Sequence, residues 1–104
     1  MAFNRGDYFG AHELWEEAWH GLLGDERIVV QGLIQIAAGL HHLQQHRSRP
    51  AVSLLRKGVE KLSRGKPGPT VTLRIGPLAR QVTRLLTELA APGSRLPAGT
   101  ALEL

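Results

Sequence analysis

Apolar residues recur at helical spacing in four stretches of the chain. In the first, a wheel turned by about 100° per residue with Tyr8 at zero places Trp19 at about 20°, Leu23 at about 60°, and Trp15 and Leu22 at about −20° and −40°. This stripe predicts a helix running to about Leu23, capped by Asn4 or Asp7 and stopped by Gly24. In the second, Ile28, Val29, Val30, Leu33, Ile34, Ile36, Ala37, Leu40 and Leu43 cover most of the circumference. That is the signature of a central helix packed on several sides. Asp25 is its expected cap and its end is expected near His46. Ser48 reads as the N-cap of a third helix, with Pro50 in the first turn, reaching about Arg64 before Gly65. Residues 66–76 hold Pro67, Gly68, Pro69 and Gly76 and read as a loop. Val71-Thr72-Leu73 within it is β-prone but has no partner strand. Pro77 opens a fourth helix carrying Leu78, Val82, Leu85, Leu86 and Leu89, and Ala91-Pro92-Gly93 ends it. The expectation is an all-α protein: a small helical bundle with a three-helix core and a fourth closing helix. Residues 1–91 form the single domain, and residues 92–104 a loosely ordered C-terminal tail.

The polar residues of the second helix sharpen this reading. Gln31, Gln35 and His42 share a face within about 40°, while His41 lies about 80° to the side of Gln31. Gln45 and His46 stand at a helix end and are expected in solvent. Gln31, flanked by Val30 and Gly32, is expected to be buried, and a buried amide needs partners. Gly32, Ala38 and Gly39 are small enough for a neighbouring helix, or large rings from one, to come close.

Length and composition bound the rest. A chain of 104 residues can build one modest core. It has no cysteine, which excludes disulfides and thiolate chemistry. Together with the lack of a secretory pattern at the start, this sets a cytoplasmic expectation. The apolar run at residues 28–43 is too short and too polar to span a membrane. The net charge of +4 is unevenly shared. Residues 1–46 carry two arginines against six carboxylates, a net −4, and residues 47–104 carry eleven Lys/Arg against three glutamates, a net +8. All five histidines and all five aromatic residues lie in the acidic part. Such asymmetry suits an anionic partner for the second half, or attraction between the halves within one chain or between copies in a homodimer.

The candidate chemistry lies on the first helix. His12 falls at about 40° on the wheel, inside the aromatic stripe, and Glu16 at about 80° on its shoulder. Glu17, near 180°, is expected in solvent, and Glu13 and His20 flank the stripe at about 140° and 120°. His12 and Glu16 are an i, i+4 pair and can touch along the helix. Such a pair can orient packing, act as general acid and base, or supply two ligands to a divalent metal. On the antiparallel second helix, Gln31 is the obvious partner for both, completing a buried His/Glu/Gln cluster. Two tempting motifs fail. His12-Glu13-x-x-Glu16 lacks the second imidazole of the zinc motif H-E-x-x-H. Glu17-x-x-His20 has no second copy, as a carboxylate-bundle metal site requires.

One set of residues is more specific. Phe3-Asn4-x-Gly6-x-Tyr8-Phe9-x-Ala11-His12-Glu13-x-x-Glu16-x-x-Trp19, followed by Gln31-Gly32-Leu33-Ile34-Gln35-x-Ala37-Ala38 and a histidine at 41 or 42, resembles the family called "domain of unknown function 309". These are small helical proteins of bacteria, archaea and plastids. The resemblance runs from about Phe3 to Leu89 and is strongest over residues 3–42. It implies a compact bundle with a three-helix core and implies no activity. Its signature positions fall here on Tyr8, His12, Glu13, Glu16, Trp19, Gln31 and His41. The wheel places His42 beside Gln31, whereas the family pattern favours His41, and the sequence leaves that choice open.

Three functions follow as expectations. The first is a ligand or metal site: His12 and Glu16 are the candidate catalytic or metal-binding residues, and Tyr8, Glu13, Trp19, Gln31 and His41 the candidate ligand-binding ones. A small molecule is the expected partner, with a divalent metal as the candidate cofactor. The second is a structural or protein-interaction module in which the cluster only specifies packing. The third, phosphate-backbone binding by Arg47, Arg49, Arg56, Lys57, Lys61, Arg64 and Lys66, is the least favoured, because no aromatic residue is interleaved and no nucleic-acid reader motif appears.

Overall fold

The structure is a computed structural model that describes residues 6–64 and 75–90. Four helices follow one another: α1 (Tyr8–Trp19), α2 (Gly24–Gln44), α3 (Ser48–Arg64) and α4 (Ile75–Ala90). Among the described residues there is no strand, and the protein is an all-α small bundle. The Asn4 cap, the β-prone run at 71–73, the Gly65 stop and the tail at 92–104 lie outside the described residues.

Helix α1 starts where Asp7 turns its carboxylate back to accept the Gly10 N–H at 3.0 Å, satisfying one of the donors left free at a helix start. The helix ends at Trp19, about one turn before the expected Leu23. Gly21, a poor helix former, follows. The Gly21 and Leu22 amides donate to the Ala18 and Trp19 carbonyls at 3.1 Å, so the chain tightens into turns. Leu23 is then extended, and Gly24 takes a left-handed φ of 61° as α2 begins. Leu23 therefore occupies the cap position without a side-chain bond, and Asp25 sits inside the first turn, where a carboxylate meets the positive end of the helix dipole. Helix α2 stops at Gln44, two residues before the expected His46. The His46 N–H donates to the Leu43 carbonyl at 2.9 Å and the Arg47 N–H to the His42 carbonyl at 2.9 Å. This is the Schellman closure, with His46 at φ 59° in the position that normally takes glycine. Helix α3 ends at Arg64 as expected but takes in Ser48, the expected N-cap, as its first residue, and the Ala51 N–H donates to the Arg47 carbonyl at 3.4 Å. Helix α4 begins two residues before Pro77, which leaves proline in the first turn, where its missing N–H costs nothing.

Helix α2 is the centre. It packs against α1 on one side and α3 on another, and α4 lies against α3. Val29, Leu33, Ile36 and Ala37 of α2 are fully buried, with Leu55 of α3 and Leu78 and Val82 of α4. Each large apolar side chain so buried contributes about 1.5–3 kcal/mol. The small residues of α2 admit a neighbour as expected, and the neighbour at Gly32 and Gly39 is α3, not the rings of α1. A Cβ on Gly32 would stand 2.8 Å from the Gly58 carbonyl oxygen, and one on Gly58 2.5 Å from Ile36 Cγ1. The two backbones meet at this seam. No helix among the described residues is long and apolar enough to cross a membrane.

Candidate functional site

The expected buried His/Glu/Gln cluster is not formed: among the described residues no polar or charged residue is buried. The reason lies in how α1 is rotated. Its buried residues are Tyr8 and Ala11, with Trp15, Trp19 and Leu22 packed partly against the core. The centre of the buried face is thus on the Ala11–Trp15 side of the aromatic stripe. His12 is displaced to the edge of that face and Glu16 beyond it. The side chains of His12 and Glu16 are 28% and 54% exposed, and His12 Nε2 lies 3.5 Å from Glu16 Oε2. This is a surface ion pair along one helix. Gln31 is half-buried and makes no hydrogen bond with either residue, which corrects its expected burial as their partner. Glu17, Gln45 and His46 are exposed as expected.

The short connection makes α1 and α2 antiparallel, so the start of α1 faces the end of α2. Two contacts fix the register there. The Gln44 amide donates from Nε2 to the Gly6 carbonyl at 2.9 Å, and the Phe9 and His41 rings lie 5.3 Å apart. At the opposite end of the pair, the Arg27 guanidinium covers the Trp19 ring at 3.9 Å from its centroid. The candidate residues are therefore divided. His12 and His41 come together at the Phe9 end. Trp19 lies at the Arg27 end, and Gln31, only four residues beyond Arg27, belongs to that half of α2. Tyr8 is buried in the core, and Glu13 is exposed on the outer face of α1.

At the Phe9 end, Phe9, His12, Ala38, His41 and His42 line a half-open recess of about 190 Å³. Both histidines between which the sequence could not choose are in it, because one lies on each flank of the α2 face turned towards Phe9. The Phe9 and His12 rings are near-parallel at 20°, with centroids 6.5 Å apart, and His41 and His42 are tilted by 52° at 6.4 Å. The Nδ1 atoms of His12 and His42 are buried and have no protein partner. Burial, then the Arg47 guanidinium and the His41 ring, hold His42 below the usual imidazole range and favour its neutral form. Such rings can donate or accept at Nδ1 according to tautomer. Among the described residues no three His, Asp or Glu side chains converge as a metal site requires. Phe9 was not offered as a site residue in the sequence, since it falls at about 100° on the wheel, off the aromatic stripe, and Ala38 was offered only as a small residue that large rings could approach. The signal that finds them is antiparallel pairing across the residue 20–23 connection, which sets Phe9 opposite His41.

Neither curated proteins nor solved structures show a match to this sequence. Residues 1–54, just over half of the 104, match the family described as "Domain of unknown function (DUF309)". That segment contains α1, α2 and all five residues of the recess. The chain belongs to the DUF309 family.

Proposed function

We propose that this chain is a small-ligand-binding module whose site is the recess between the start of α1 and the end of α2. The observation that carries the reading is one recess lined by three imidazoles, those of His12, His41 and His42, beside the Phe9 ring. Neutral imidazoles offer both donors and acceptors to a ligand held there. Phe9, half exposed at the rim, supplies an apolar face for the same ligand. On this reading His12 holds or moves a proton and Glu16, 3.5 Å from its Nε2, orients the ring. His41 and His42 complete the wall. A divalent metal has weaker support, since His12 and Glu16 lack a converging third ligand among the described residues.

The test is a fragment screen followed by the imidazole ¹⁵N resonances of the five histidines. Binding is expected to shift His12, His41 and His42 and to spare His20 and His46. Fragments that shift residues elsewhere on the bundle, or none that shift these three, overturn the reading.

A second reading, an interaction module, is favoured by Leu14 and Leu23, which are 62% and 81% exposed. Sedimentation of the wild type against a Leu14→Ser/Leu23→Ser variant tests it. Self-association lost in the variant supports the module and a homodimer; a monomer in both cases removes the homodimer.

A further inference from the structure

We infer that the recess takes a small, neutral heteroaromatic ring bearing both a hydrogen-bond donor and an acceptor, such as a free nucleobase or a pyridine carboxamide. The inference rests on the reading of the recess as a ligand site and names its ligand class.

Size is the first constraint. About 190 Å³ is below the roughly 300–1,000 Å³ of pockets that enclose drug-sized ligands, so one ring system fits and a dinucleotide does not. Shape is the second. Four of the five lining residues present rings, and the fifth, Ala38, presents only a methyl group. Flat, polarizable walls favour a flat ligand that can stack on them. Phe9 is 53% exposed, so its ring has room to settle against an incoming face.

Polarity and charge exclude the neighbouring classes. A purely apolar ring makes no use of the three imidazoles, His12, His41 and His42, that line the recess. Because a neutral imidazole carries a donor on one ring nitrogen and an acceptor on the other, a ligand edge carrying one of each is matched by this lining. An oxyanion finds no Lys or Arg among the lining residues. Helix α1 beside it carries Glu13, Glu16 and Glu17 and no Lys or Arg, and the one Lys or Arg that acts on His42 is Arg47, which does not line the recess. A divalent metal lacks a convergent set of three donors among the described residues.

The experiment titrates the full chain with four separate probes: adenine, nicotinamide, inorganic phosphate and Zn²⁺. The readout is the imidazole ¹⁵N resonances of His12, His41 and His42 together with the Ala38 methyl. Saturable shifts with adenine or nicotinamide are expected, retained in Phe9→Tyr and weakened about tenfold or more in Phe9→Leu, which keeps apolar bulk and loses the ring. Position 9 is exposed, so both variants are expected to fold, and their circular dichroism checks this. Shifts produced by phosphate or Zn²⁺ and not by the ring probes overturn the ligand class while leaving the recess a binding site. Equal affinity in Phe9→Leu also overturns the class. If no probe moves these resonances, the class falls, and if the fragment screen fails as well, the site reading falls with it.

Discussion

His42 makes the stability of the fold sensitive to pH. Its folded-state pKa is lowered from 6.5, by burial first and then by Arg47 and His41. In the window below 6.5 the unfolded chain therefore holds more protons than the folded one, and stability rises with pH there. The favourable contribution of neutral His42 is complete above the unfolded value and is lost as pH falls through the folded one. Urea midpoints measured from pH 8 down to pH 5 are expected to drop in the wild type and to drop less in His42→Gln. The His12–Glu16 pair behaves differently. It is a surface i, i+4 pair, and Glu16→Gln is expected to change stability by less than about 0.5 kcal/mol in the same denaturation assay. A large loss would mean that the pair is buried after all. The sequence made His12 and Glu16 visible as a pair, because i, i+4 spacing is a property of one helix. It did not show how far α1 is rolled about its axis. That roll depends on which of Ala11 or His12 is pressed against α2, and Ala11, small enough for a close approach, takes the place.

At the scale of elements, the α2–α3 seam and the end of α2 test how backbone geometry selects residues. Gly58→Ala adds helix propensity worth about 1 kcal/mol but drives a methyl group into Ile36 and the Gly32 carbonyl. Overpacking of about 1–3 kcal/mol is expected to win, and thermal denaturation should show a lower Tm; a higher Tm would show that the helices separate at little cost. His46→Gly works in the opposite sense. His46 is left-handed, a conformation that costs a non-glycine residue about 1–2 kcal/mol, so the glycine variant should raise the urea midpoint. Helix α3 was legible in its extent to Arg64 and in the proline of its first turn, but Ser48 lies inside the helix and not at its cap. The ends of α1 and α2 were legible only to within a turn. Gly21 and the His46 closure act through hydrogen bonds that form after the chain has left the helix, and periodicity carries no trace of them.

For the whole molecule, the order of packing matters more than the number of helices. Helix α2 is held by neighbours on two sides, α3 is shared between α2 and α4, and α1 has its principal interface with α2. The sequence showed this hierarchy in outline, since α2 is apolar nearly all round while α1 concentrates its apolar residues on one stripe. One consequence concerns amide hydrogen exchange. An element docked chiefly on a single neighbour can open as a unit without global unfolding. Amides of α1 are therefore expected to exchange faster than those of α2 and α3 in the native protein, by a route that leaves the Gly32–Gly58 seam closed. The Phe9 recess straddles that joint, so a bound ring would act as a latch, and slower exchange along α1 would report its arrival.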